Sequence, residues 1–158
     1  MINFKSIKTQ LILYLSCFAL LLALKDKDGA FLLTTLTAVI SAIAAEGIVL
    51  YFRKKMIQIT ESAIITGLIV GYVLSSDEAW WKFVLASFLA IFSKHLICFQ
   101  RKHIFNPAAF GIFLAIVFLG VSAQWKATYV WSVVVPFGVY FAYRFKKLEI
   151  VLGYAIIS

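Results

Sequence analysis

Between residues 30 and 52 the chain carries a single charged side chain, Glu46. A run of that length and apolarity can cross the hydrocarbon of a bilayer as a helix, which needs roughly 20 residues. The run is one of a series. Apolar blocks fall at residues 9–24, 30–52, 62–74, 79–99, 107–123 and 127–143, and a seventh opens at 148 and continues to 158. Short charged clusters such as Lys25-Asp26-Lys27-Asp28 and Arg53-Lys54-Lys55 separate them. With 63% of its side chains hydrophobic and 14% charged, a soluble domain of this size would have too little interior to hide them. The pattern predicts an all-α, polytopic transmembrane bundle of about six or seven helices, one integral membrane domain over residues 1–158, with the lipid bilayer as its solvent.

The net charge of +8 raises the question of nucleic acid, but the basic residues sit in the gaps between blocks and not along one polar face. No nucleic-acid partner is expected. The charges read instead as topology signals. Lys5, Lys8, Arg53, Lys54, Lys55, Arg101, Lys102, Arg144, Lys146 and Lys147 fall at one set of block ends, and only Lys25, Lys27 and Lys126 at the other. The richer set belongs on the cytoplasmic side, which places the N-terminus there. Lys5 and Lys8 followed by the run 11–24 resemble the start of a signal peptide. No small-residue cleavage site follows, so this block is expected to be a retained helix. Trp80, Trp81, Trp125 and Trp131 lie at or near block ends, where amphipathic rings prefer the interface. Block 62–74 is short for a span and could be broken or re-entrant, although the alternation of charge favours a crossing. The last block breaks off at Ser158 without a polar flank, as expected of the N-terminal part of a longer chain.

Four features stand out from the apolar background. Gly67 and Gly71 share one helix face, which suits either close helix packing or room for a cofactor ring with hydroxyls from Ser62 and Thr66. Phe105-Asn106-Pro107-Ala108 reads as a capped helix start, and such an end can also hold an anion. Lys94-His95 could snorkel to the interface, or join Asn106 in an anion or phosphate site. Glu46 is an intramembrane carboxylate, either on a cation path or reaching Arg53 or Lys54. Cys17 and Cys98 stand apart with no C-x-x-C pair, so neither a disulfide framework nor a metal site is expected. No hydrolase, kinase or phosphate-loop motif is present, and no catalytic residue is assigned.

Three segments taken in order carry a family resemblance. Ser62-Ala63-Ile64-Ile65-Thr66-Gly67-Leu68, Ser93-Lys94, and Phe105-Asn106-Pro107-Ala108-Ala109-Phe110-Gly111 together resemble the RnfD/NqrB family. Its members are membrane subunits of the Rnf electron-transport complex and of the sodium-translocating NADH:quinone oxidoreductase. The resemblance covers roughly residues 60 to 111. It implies a prokaryotic plasma-membrane protein built on an inverted-repeat, urea-transporter-like fold. It also implies other membrane subunits as partners, and FMN or riboflavin coupled to Na+ or H+ translocation. Ser62, Thr66, Gly67, Lys94, Asn106 and Pro107 become the candidate cofactor-binding residues, and Glu46 the candidate on an ion path. Two departures stand against full equivalence. The family attaches its flavin to the threonine of an S-G-A-T motif, which this chain lacks. Ser93 also replaces the glycine usual before the lysine. Two other functions fit the same residues: a small-solute or ion transporter without redox chemistry, and a scaffold subunit assembled through the glycine face.

Overall fold

A computed structural model describes residues 6–54, 59–99, 102–103, 105–126, 131–144 and 149. Six helices follow one another among them: α1 (Ile7–Asp26), α2 (Gly29–Lys54), α3 (Glu61–Val73), α4 (Trp80–Leu96), α5 (Pro107–Leu119) and α6 (Trp131–Arg144). The all-α expectation holds in this coarse sense. The exceptions are a two-residue strand pair, Cys98–Phe99 with Lys102–His103, and an isolated bridge between Leu74 and Ala123. The seventh block, beyond Glu149, lies outside the described residues, as does 127–130 at the head of the sixth.

Local chemistry sets the helix starts. Asp28 accepts from the Phe31 N–H at 2.9 Å and caps α2. Thr60 accepts from the Ala63 N–H and caps α3. Asn106 accepts from the Ala108 and Ala109 N–H groups with Pro107 in the first turn of α5, as the tetrapeptide predicts. The ends are less legible in sequence. Apolar block 79–99 gives a helix only to Leu96, because the chain then enters the strand pair. Block 107–123 stops at Leu119, where Gly120 takes a left-handed conformation (φ 58°) and closes the helix. Among the described residues two helices are long and apolar enough to cross a membrane, Ile7–Asp26 and Gly29–Arg53. In the sequence, blocks 30–52 and 79–99 both meet the length of a span outright, and the structure gives such a helix only for the first. Block 79–99 falls short at 17 helical residues, and block 9–24 reaches 20.

Helix α3 does not fold back. Its cap Thr60 donates to Glu46 near the end of α2, while Ser76 beyond its other end donates to Asp28 at the start of α2. At 13 residues it rises about 20 Å, and the extended segment 74–76 completes the distance. Both α3 and α5 finish in extended chain, and those tails pair: Ser75 N–H donates to Ser122 O and Gln124 N–H to Val73 O. One end of the bundle therefore collects the starts of α1 and α3 and the finishes of α2 and α4. The other collects the α1–α2 turn, the start of α4, and the finishes of α3 and α5. Where the structure describes them, the chain ends sort as the lysine and arginine count requires.

Small residues make the interior. Ala38, Ala42, Ala45, Ala63, Ala86, Ala90 and Ala115 are completely buried, while Leu24, Phe52, Leu96 and Phe118 are about three-quarters or more exposed. Phe31, Phe83, Leu74 and Ile91 are buried with the alanines, while many other large apolar side chains point outward, as helices solvated by lipid allow. Glycines bring the backbones together. A Cβ at Gly67 would lie 2.5 Å from the Val39 Cα, one at Gly71 2.7 Å from the Thr35 Cα, and one at Gly111 2.5 Å from the Ala90 Cβ. Helices α2, α3, α4 and α5 form this close-packed centre; α1 lies on α3 and α2, and α6 on α1.

Candidate functional site

The buried carboxylate organises the end of the bundle where α2 and α4 finish. Glu46 is 2% exposed. Lys94 Nζ donates to its Oε1 at 2.7 Å, His95 Nε2 meets Oε2 at 2.9 Å, and the Thr60 hydroxyl also donates to Oε1 at 3.3 Å. Two features that stand apart in the sequence are thus one site. A helix places consecutive residues about 100° apart, so Lys94 and His95 reach one carboxylate by gripping an oxygen each. An unpaired carboxylate in an apolar interior is very costly, and two basic partners with a hydroxyl remove that cost. The simpler expectation that Glu46 reaches Arg53 is corrected, since Arg53 instead donates to the carbonyl of His95 at 2.9 Å; the Lys54 side chain lies outside the described residues. Nearby, Glu61 accepts from the hydroxyls of Ser6 and Thr9 and ties the start of α1 to α3.

A second polar knot closes the opposite end. Asp28 accepts from Lys126 Nζ at 2.7 Å and from the Ser76 hydroxyl at 2.9 Å, in addition to capping α2. The bond from Lys126, ahead of its other contacts, holds the Asp28 carboxyl below its usual range. Glu78 bonds to Lys82 at 2.7 Å and receives the N–H and hydroxyl of Ser122 at 2.8 Å each. Its carboxyl is lowered to about 2, first by the Lys82 bond and then by the two from Ser122. These contacts clamp the α1–α2 turn, the α3–α4 loop and the finish of α5 together. The residue order gives no sign of this knot, because its members are ordinary loop residues up to 98 positions apart.

The six candidate cofactor residues do not gather round a common cavity. Thr66 donates its hydroxyl to the Ser62 carbonyl one turn earlier. Gly67 faces the α2 backbone at a distance that leaves no space for a ring. Lys94 holds Glu46, and Asn106 with Pro107 caps α5. Thr66, Gly67, Lys94, Asn106 and Pro107 thus have bonding, packing, pairing or capping roles in the fold, to be set against their expected part in holding a flavin. The aromatic-lined cavity between Tyr14, Phe18, Tyr72 and Trp125 holds about 100 Å³ and is too small for one. Among the described residues no group of three His, Cys, Asp or Glu side chains is placed to hold a metal ion.

The sequence was compared with known proteins. Residues 2–151 match the NQR2, RnfD, RnfE family. The RnfD subunit of the ion-translocating oxidoreductase complex of Escherichia coli (strain Crooks) is 34% identical over 110 residues, 66% of this chain and 31% of that protein. Its namesake from Yersinia enterocolitica is 34% identical over 84 residues, 51% and 24% of the two chains. That from Aliivibrio salmonicida is 38% identical over 81 residues, 49% and 23%. The chain therefore spans no more than about a third of the length of these relatives. No solved structure matches it. With nearly the whole chain inside the family match, and Thr66-Gly67, Lys94 and Asn106-Pro107 all within it, the chain belongs to the NQR2, RnfD, RnfE family.

Proposed function

We propose that this chain is a multi-pass membrane subunit of an ion-translocating electron-transport complex. In this reading it resides in the prokaryotic plasma membrane with its N-terminus in the cytoplasm. Its complex couples flavin-mediated electron transfer to the movement of Na+ or H+, and other membrane subunits are its partners. The observation that carries the proposal is the family match over residues 2–151, reinforced by relatives named as subunits of an ion-translocating oxidoreductase complex. The outward-facing large apolar side chains support the membrane placement, and the sorting of basic residues to one end supports the orientation. A part of the urea-transporter-like, inverted-repeat architecture is compatible with four closely packed central helices.

This chain's own contribution is a rigid, glycine-packed centre and the Glu46–Lys94–His95 cluster. A carboxylate held by two bases can exchange a partner for an incoming cation, and Glu46 is accordingly the proposed group on an ion path. Flavin, FMN or riboflavin, is the cofactor that the family resemblance implies for the complex. The test is to express the whole gene product with its neighbouring subunits, seal it in vesicles, and supply a reduced nicotinamide donor. Donor-dependent Na+ or H+ uptake, with flavin released on acid denaturation, is the expected outcome. Vesicles that oxidise the donor without moving either ion would refute the coupling.

A second reading rests on one feature of the fold. Helices α3 and α5 are both 13 residues long and run into extended tails that pair, and short, interrupted helices build the binding sites of transporters. A passive solute or ion conduit predicts flux into vesicles containing this chain with no electron donor.

A further inference from the structure

Where α2 and α4 finish side by side, the structure leaves a groove of about 260 Å³ between them. Its walls are apolar: Ile48 and Phe52 on α2, Phe92 and Leu96 on α4. Arg53 and His95 supply its polar edge. From the groove and its charge we infer that this is a binding site for an anionic phospholipid, with an acyl chain between the helices and the headgroup phosphate on Arg53. The inference rests on the membrane reading given above.

Charge complementarity selects the occupant. This is the end of the bundle to which the sequence assigns ten of its 15 basic residues, among them Arg53-Lys54-Lys55. Two of the acids described towards this end are turned inward: Glu46 is held by Lys94, His95 and Thr60, and Glu61 by Ser6 and Thr9; Glu149, beyond α6, is exposed. None of the three is among the residues that line the groove. Arg53 is exposed, and its bond to the His95 carbonyl fixes the guanidinium at the mouth. A guanidinium has five N–H donors, so that bond leaves others for a phosphate. Basic pockets between spanning helices at the cytoplasmic face recognise anionic headgroups by this combination of charge and apolar wall. A free phosphate would use Arg53 and leave the apolar walls wet. A neutral lipid would use the walls and leave the guanidinium without an anion.

The experiment uses the full chain, extracted from membranes in mild detergent and offered equal amounts of phosphatidylglycerol and phosphatidylcholine. Native mass spectra would count the lipids retained. Phosphatidylglycerol should be retained over phosphatidylcholine by about fivefold, the factor that one basic side chain near an anionic surface contributes. Arg53→Gln should bring the ratio to near unity, while Arg53→Lys should keep most of it. Phe92→Trp, which fills the groove without touching the charge, should lower retention of both lipids. Added inorganic phosphate should displace little. Equal retention of the two lipids by the unaltered chain, or a preference that survives Arg53→Gln, would overturn the lipid site alone. Displacement by inorganic phosphate would show a free-anion site in its place. A chain that carbonate washing strips from membranes would overturn the membrane reading and the lipid site with it.

Discussion

Glu46 shows how a side chain that is unfavourable in isolation becomes a structural centre. Its two oxygens are divided between Lys94 and His95, so losing either the acid or the lysine leaves a buried group without its main counter-charge. Glu46→Gln and Lys94→Met are each expected to destabilise the fold by about 3–5 kcal/mol. The double variant should cost less than the sum, with a coupling of about 0.5–3 kcal/mol. A double-mutant cycle read from thermal unfolding in detergent checks this, and strict additivity would mean that the pair is not coupled. The glycines offer a parallel contrast. Gly67→Ala places a Cβ 2.5 Å from backbone that has nowhere to move, and should cost about 1–3 kcal/mol. Gly138, in α6, has no atom within 4 Å of the same Cβ. Gly138→Ala should be neutral or stabilising by up to about 1 kcal/mol, because alanine is the better helix former. The same thermal measurement distinguishes the two.

Polar contacts at their ends add to the glycine-packed middles in holding the helices in register. Asp28 is at once the cap of α2, the partner of Lys126 and the acceptor of Ser76. Glu78 similarly joins the start of α4 to the finish of α5. Both carboxyls sit below their ordinary values in the folded chain, Glu78 at about 2. Between that value and the usual carboxylate range the unfolded chain binds more protons than the folded one, so stability rises with pH there. The contribution of Glu78 is full above pH about 4.5 and is lost as pH falls toward about 2; that of Asp28 is likewise lost as its carboxyl protonates in acid. Unfolding followed across that window should show the loss, and Glu78→Gln should flatten its lower part. At α5, Asn106→Ala removes an acceptor from two N–H groups and should cost about 1 kcal/mol. Asn106→Ser should recover most of that.

For the molecule as a whole, the many large apolar side chains left on the surface, Leu24, Phe52, Leu96 and Phe118 among them, suit apolar surroundings. Helix α6, which touches α1 through Phe137 and Phe141 against Tyr14, exposes most of its length. The arrangement of ends makes a direct prediction about orientation. A cysteine introduced at Asp77, in the exposed loop between α3 and α4, should react with a membrane-impermeant maleimide added to intact cells in a background lacking Cys17 and Cys98. A cysteine at Ser6 should react only after the membrane is opened. The opposite pattern would invert the topology and move the buried Glu46 cluster to the outer half of the bilayer.

The apolar character of the helices, the capped start at Asn106 and the sorting of basic residues to block ends are all legible in the residue order. Each depends on near neighbours: a run of side chains that lipid must solvate, a cap within three residues, a lysine beside a helix end. Where helices stop is harder to read, since block 79–99 stays apolar past Leu96 and only strand pairing ends the helix. That the third block runs the length of α2 is plain only from Thr60 and Ser76, which bond to opposite ends of that helix. The pairing of Glu46 with Lys94 and His95, the closure of the Gly67 face by Val39, and the Asp28–Lys126 clamp join residues tens of positions apart. One-dimensional order carries almost no information about such contacts, because it does not say which helix faces lie together.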